Sequence, residues 1–306
     1  MLLEKRFTAR KKVAYGMGPS APIAVLDSGV GGLTVVKALR RELPHEDIIY
    51  FGDTARVPYG SKSGATITSF VRQIVRYLSA YEPKHIVVAC NTATAVALGA
   101  LREEFKGVSI SGVIEPGAKA AAAAGGKKRF PVIGVIATEA TIRSKAYEHA
   151  LARRRNHARL LFRPAPLLVP IIEEGRSAED PLMELAVQQY LTPMLQNGLD
   201  VLLLGCTHYP MIKSLIVKTV GPDVAVIDSA DQCAEDVYRR LLSGSLLHAS
   251  DRPGRLQCFV TDESPRFALL AKRFLGFEVM PPAWVPPEDL YRLPEGELSS
   301  FTGSET

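Results

Sequence analysis

The chain repeats itself. Lys84-His85-Ile86-Val87-Val88-Ala89-Cys90-Asn91-Thr92 and Asp200-Val201-Leu202-Leu203-Leu204-Gly205-Cys206-Thr207-His208 lie 116 positions apart and share one plan. Each is an apolar run, a small residue, a cysteine and two polar residues. Two weaker correspondences fall in the same order. Pro22–Ser28 and Pro131–Thr138 each close an apolar run on a hydroxyl residue at an offset near 110, and Val57-Pro58-Tyr59-Gly60 matches Val169-Pro170-Ile171-Ile172 at 112. A chain that uses one plan twice over some 200 residues folds as two related lobes rather than around one irregular core.

The plan itself specifies the fold class. Strand-length apolar runs at Pro22–Asp27, Asp47–Phe51 and Ile86–Ala89 alternate with segments of helical spacing. Leu33, Val36, Leu39 and Leu43 form one such face; Ile67, Phe70, Val71, Ile74, Val75 and Leu78 form another, with Ser61 or Ser63 as its cap and Pro83 as its stop. Continuous rather than alternating apolar strands belong in a parallel sheet buried on both faces. The expectation is α/β: two pseudo-symmetric lobes, each a mainly parallel sheet flanked by helices, with the functional site in the cleft between them. Residues 1–20 read as a basic tail, 21–114 with 226–280 as a discontinuous first lobe, and 115–225 as the second lobe. Residues 281–306, with Pro281-Pro282 and Pro286-Pro287, read as an extended or disordered C-terminal tail.

Charge and cysteine usage narrow the function. The formal charge of +5 resides almost entirely in residues 1–20, where five bases face Glu4 and leave the rest of the chain near +1. A near-neutral body argues against direct nucleic-acid binding. The cluster Arg153-Arg154-Arg155 reads as an exposed helix end. No apolar run is long enough to span a bilayer and no signal-peptide pattern opens the chain, so a cytoplasmic protein with no membrane partner is expected. Cys90, Cys206, Cys233 and Cys258 form no close pair, as suits a reducing compartment.

The chemistry-bearing residues collect after strands and before helices: Asp27-Ser28, Cys90-Asn91-Thr92, Thr138 and Cys206-Thr207-His208. A lone cysteine after a buried strand is usually inert packing. Two in matched contexts, on facing lobes, can remove a proton from one face of a carbon and return one to the other. A helix N-terminus favours a thiolate, so both thiols are expected to be poised below the usual cysteine range. His208, two residues after Cys206, suits a relay for that thiol, and Glu173, beside Glu174 at what reads as a helix start, is a site residue or part of a solvated face. Asp27 is a helix cap or a site residue, and Tyr59 a turn or site residue. Gly29-Val30-Gly31-Gly32 fits neither the dinucleotide nor the P-loop pattern, and no spacing suggests a metal site or a Schiff-base lysine.

Leu26-Asp27-Ser28-Gly29-Val30-Gly31-Gly32, Val57-Pro58-Tyr59-Gly60, Ala89-Cys90-Asn91-Thr92-Ala93-Thr94-Ala95 and Leu204-Gly205-Cys206-Thr207-His208-Tyr209-Pro210 together resemble the signatures of the glutamate racemases. Ile114-Glu115-Pro116-Gly117 and Thr138–Ser144 agree, and the resemblance runs from about residue 21 to 280. It implies a cofactor-independent interconversion of L- and D-glutamate, with no metal, serving peptidoglycan synthesis. By that resemblance Cys90 takes the α-proton from D-glutamate and Cys206 from L-glutamate. Asp27 assists the first thiol; His208 and Glu173 assist the second. Ser28, Pro58, Tyr59, Gly60, Asn91, Thr92, Thr138, Thr141 and Thr207 bind substrate, together with Asp27 and His208. A homodimer is the expected assembly. The alternatives are a related racemase or decarboxylase acting on another acid such as aspartate, and a two-lobed solute-binding module.

Overall fold

The computed structural model describes residues 18–126, 128–155, 157–263 and 265–291. Most of the basic tail, residues 1–17, and the end of the C-terminal tail, residues 292–306, lie outside the described residues. The chain begins with β1 (Ile23–Asp27), α1 (Leu33–Glu42), β2 (Ile48–Gly52), α2 (Gly64–Ser79), β3 (His85–Val88), α3 (Asn91–Glu104), β4 (Ile110–Gly112) and α4 (Ile114–Ala124). It continues with β5 (Val132–Ala137), α5 (Glu139–Arg143), α6 (Ala146–Ala152), β6 (Arg159–Pro164), α7 (Leu168–Glu173), α8 (Pro181–Leu195), β7 (Val201–Gly205), α9 (Lys213–Val220) and β8 (Ala225–Asp228). The last elements are α10 (Ser229–Ser243), β9 (Leu256–Val260), α11 (Pro265–Leu275), β10 (Ala283–Trp284) and α12 (Pro287–Tyr291).

These strands make two all-parallel sheets, ordered β10-β9-β2-β1-β3-β4 and β6-β5-β7-β8. The duplication is visible in that order: β2-β1-β3-β4 has the same arrangement as β6-β5-β7-β8, and β9 and β10 extend the first sheet alone. Strands β1, β3, β5 and β7 lack an exposed residue, as a sheet covered on both faces requires. Register then sets the site. Leu26 pairs with Val88 and Ala137 with Gly205, so Thr138 and Cys206 emerge level with each other in one sheet, and in the other Asp27 emerges level with Ala89, one residue before Cys90.

The apolar core has three parts. One lies outside the first sheet against α2 and α3, and one outside the second against α4 and α6. The largest runs between the sheets, joining Val25, Leu33 and Leu39 to Leu204, Tyr209 and Ile216, with Phe274 of α11 among them. Burying that shared layer is what holds the two sheets together, since each would otherwise expose an apolar face.

Local caps follow the sequence. Ser63, not Ser61, caps α2 by accepting from Thr66 N at 3.2 Å. Asp180 caps α8 with Pro181 at its first position. Two expectations need correction. A boundary at 225/226 would cut β8, which pairs with β7 through Val201↔Ala225 and so completes the second sheet. Gly221, at φ +80, ends α9 and turns the chain back beside β7, which makes β8 the natural neighbour. The stretch from 281 is also not wholly tail. Ala283 and Trp284 pair with β9, and the Trp284 indole donates to Thr261 O at 3.1 Å. The paired prolines that suggested a tail flank this two-residue edge strand, where no further ladder bond is needed. Among the described residues, no helix is long and apolar enough to cross a membrane.

Candidate active site

Between the carboxyl ends of the two sheets lies a cavity of about 420 Å³. Ser28 and Cys90-Asn91-Thr92 line it from the first sheet, Thr138 and Cys206-Thr207-His208 from the second. Pro58-Tyr59-Gly60 and Glu173 close it. Of the residues singled out from sequence, only Asp27 and Thr141 stand behind the surface rather than on it. Gly29, Val57, Ser61, Glu139, Pro166, Val169 and Pro170 also line the cavity; Gly29, Val57 and Glu139 fall in motifs of the sequence, but none of the seven is among the site residues expected from it. Val169-Pro170 carried a signal, since it is the internal counterpart of Val57-Pro58. The lining residues include no lysine or arginine, so an anion here meets hydroxyls, amides and helix N-termini.

The first wall is built on the start of α3. Cys90 is its N-cap, and Sγ accepts from Ala93 N at 3.4 Å. Asn91 and Thr92 are buried behind it. The hydroxyls of Thr92, Thr138 and Thr141 form a triangle, with sides of 2.9, 3.1 and 2.9 Å, that ties the two lobes together. Tyr147 from α6 donates to Asn91 Oδ1 at 2.6 Å, a second tie across the cleft. Asp27 is fully buried; its Oδ2 accepts from Gly29 N at 3.0 Å, and it caps no helix. Burial raises its carboxyl above the usual range, opposed by the His208 charge and backbone donors. The expectation of a poised Cys90 thiolate does not hold. Burial, then the charge of Asp27, push its thiol up to about 12, outweighing the helix N-terminus.

The second wall differs. After Cys206 comes a 3₁₀ turn, Tyr209–Ile212, and α9 begins only at Lys213, so Cys206 does not cap an α-helix. It has a relay instead. Cys206 Sγ stands 3.9 Å from His208 Nδ1, and His208 Nε2 stands 2.8 Å from Glu173 Oε1. Burial would lower the imidazole, but the bonds to Cys206 and Glu173 raise it to about 10. Glu173 is itself held below its ordinary value: burial would raise it, but the bond and charge of His208 together with the charge of Arg266 outweigh burial. Its place is the last residue of α7, not a helix start.

The first sheet braces this wall in turn. Thr34 Oγ1 donates to Thr207 O at 2.8 Å. Gly31 lies so close that a Cβ there would sit 2.4 Å from Thr207 Oγ1 and 2.5 Å from His208 Cε1 and Nδ1. Tyr59 is fixed through its hydroxyl to Asp53, whose other partners are Arg56 at 2.8 Å and Thr261 at 3.0 Å.

Two thiols at equivalent strand ends of two related lobes meet over one small cavity, an arrangement that suits an α/β enzyme acting on both faces of a single carbon. The chain belongs to the Asp/Glu/Hydantoin racemase family, whose model matches residues 23–237. It is 45% identical over 258 residues to a glutamate racemase of Geobacter metallireducens, covering 84% of this chain and 94% of that relative. The crystal structure of the Francisella tularensis glutamate racemase in complex with D-glutamate matches with a TM-score of 0.80 at 38% identity, covering 87% of this chain and 98% of that one. The Thermus thermophilus glutamate racemase, in complex with beta-chloro-D-alanine, matches with a TM-score of 0.79 at 42% identity, over 89% and 99%.

Proposed function

We propose that this protein interconverts L- and D-glutamate without a cofactor, by deprotonating Cα with one thiol and reprotonating it from the other. The observation that carries the reading is the pairing of Cys90 and Cys206 at equivalent strand ends on one cavity, each beside its own buried acid/base group. From L-glutamate, Cys206 takes the α-proton while His208, hydrogen-bonded to Glu173, stands beside the sulfur. Cys90, a neutral thiol in the free site, delivers a proton to the opposite face. In the reverse direction Cys90 is the base; the charge of Asp27 keeps its thiol protonated in the free site, and the same buried carboxylate is the group that would take up that proton.

The α-proton of an amino acid is far less acidic than a thiol, so the barrier is lowered chiefly by stabilising the enediolate. Fixed donors in a site shielded from water serve that purpose. Ser28, Asn91, Thr92, Thr138 and Thr207 supply hydroxyl and amide groups for the two carboxylates and the ammonium, with Thr141 holding its neighbours. Tyr59, Gly60 and Pro58, with Val57, Val169 and Pro170, form the less polar side of the cavity. Its volume sits near the low end of the roughly 300–1,000 Å³ usual for ligand sites, as suits a small dicarboxylate.

The product D-glutamate serves peptidoglycan synthesis, and the enzyme works in the cytoplasm; four unpaired, buried cysteines suit a reducing compartment. We also read it as a homodimer. Exposed Leu182, Leu185 and Val217 on the packed helices α8 and α9 are the kind of surface such an assembly covers. Sedimentation analysis decides that point.

The deciding experiment is incubation with L-glutamate in deuterated water, without added cofactor, followed by chiral separation and mass analysis. D-glutamate carrying α-deuterium is the expected product. Inversion of aspartate but not glutamate would move the substrate, and no exchange of any acid would overturn the reading.

A further inference from the structure

The Cys206 relay ends on Glu173, and Glu173 ends a helix of only six residues. So short a helix has little cooperativity to hold its end in place. Local bonds close that end, Glu174 N to Pro170 O at 2.9 Å and Gly175 N to Ile172 O at 3.0 Å, and further donors reach it from across the cleft. Arg273 donates to Ile172 O at 2.8 Å and, through its other terminal nitrogen, to Arg176 O. Arg266, two turns earlier on the same helix, donates to Glu173 O at 2.6 Å. Both arginines belong to α11, which lies between two strands of the first sheet, whereas α7 lies between two strands of the second.

The same helix reaches the other half of the relay. Phe274, fully buried, packs edge-to-face with the His208 imidazole, with centroids 5.5 Å apart and planes at 86°. Thus consecutive residues of α11 grip both members of the pair: Arg273 the backbone that carries Glu173, Phe274 the ring that Glu173 must meet. The acid beside Cys90 is held differently: Asp27 accepts from Gly29 N of its own loop.

We infer that Arg273 and Phe274 are positioning residues for the Cys206 half-reaction, clamping His208 and Glu173 in line from the opposite lobe. The inference rests on the proposed racemase reading. A displaced relay slows proton removal from L-glutamate without disturbing Cys90. Loss of alignment by an ångström or so at a catalytic group costs on the order of 10–100-fold in rate.

The test needs care, because L- and D-glutamate have equal free energies. Every variant must therefore keep the same kcat/KM in both directions, and a defect on one wall is invisible in that comparison. Isotope effects separate the walls. In Arg273→Ala and in Phe274→Leu, kcat/KM should fall about 10–100-fold. The α-deuterium effect should rise with L-[2-²H]glutamate, where the Cys206 step becomes limiting, and fall with D-[2-²H]glutamate. Arg273→Lys, which keeps a cationic donor to the α7 carbonyls, should recover part of the loss, and it carries the test if the alanine variant does not fold. Isotope effects that change equally for both enantiomers, or variants with unaltered rates, overturn the clamp. An inactive wild-type protein would instead overturn the racemase reading.

Discussion

The two walls of the cleft are copies in backbone and strangers in chemistry. Each carries a cysteine just past the third strand of its lobe, β3 or β7, beside that lobe's first strand, and each is braced by the other lobe. Thr138, Thr141 and Tyr147 hold the Cys90 loop; Thr34, Gly31 and Phe274 press on the Cys206 loop. Yet Cys90 sits over a fully buried carboxyl at a helix N-terminus, while Cys206 sits beside an imidazole–carboxylate pair at a 3₁₀ turn. On the proposed reading, duplication supplies the positions of two opposed thiols, and the differing loops supply the groups that surround each. Mirror-image substrates need equal barriers overall, not equal machinery.

The largest expected effect tests the shared part of that comparison. Cys90→Ser and Cys206→Ser should each lower racemisation by on the order of 10²–10⁴-fold, the contribution typical of a positioned acid or base. Loss from both variants, measured by polarimetry with folding checked by circular dichroism, is what a two-base cycle demands. Near-normal turnover in either would mean that a single thiol suffices and that the symmetry of the walls is incidental.

A smaller effect tests how tightly the walls are fitted. Gly31→Ala puts a methyl group 2.4–2.5 Å from Thr207 and His208, so the relay wall must shift. Gly60→Ala meets Thr138 Cβ only at 3.1 Å, a contact that a few tenths of an ångström relieves. We expect roughly a 10–100-fold loss of kcat/KM in the first and less than about tenfold in the second. Equal losses would show that the Cys206 wall is no more sensitive to crowding than the Cys90 wall.

How much of this was readable beforehand depends on what each feature rests on. The two-lobed parallel architecture was legible because apolar strand runs and helical faces are local patterns, and the internal repeat ordered them. Cys90, Cys206 and their polar neighbours were legible because strand ends face a cleft in such sheets. The charge state of Cys90 was not. It follows from burial beside Asp27, a packing outcome that overrides the helix N-terminus. The assignment of β8 to the second sheet was missed because a four-residue strand carries no mark of which neighbour it will choose. Nor could the sequence show that α11, some 60 residues after Cys206, would return to brace the relay, since arginine donors to carbonyls leave no spacing signature.

The walls should also separate in their response to pH. His208 is raised from 6.5 to about 10 in the fold, so between those values the folded protein holds a proton that the unfolded chain has lost. Stability from this group is complete below pH 6.5 and is lost as pH rises through about 10. Cys90 is raised from 9.0 to about 12, so its share is lost only at higher pH. Urea midpoints should fall from pH 7 to 9, and His208→Gln should flatten that decline, whereas Cys90→Ser should leave it in place. A decline unaffected by His208→Gln would remove the imidazolium from the account of the second wall.

The smallest expected effect is the most discriminating about what marks a reactive cysteine. Burial pushes Cys233 and Cys258 up to about 12, the same value as Cys90, so thiol acidity does not distinguish the three. Position does. Cys233 lies within α10 and Cys258 within β9, packed in the core between the sheets, and neither lines the cavity. Cys233→Ala and Cys258→Ala should therefore leave kcat/KM within about twofold, while each loses roughly 1 kcal/mol of stability for the atom removed from a packed interior. A large catalytic loss in either, at unchanged stability, would mean that the chemistry extends beyond the two walls. Unchanged rates would locate reactivity in access to the cleft and in the opposed partner across it, because the raised thiol pKa is common to all three.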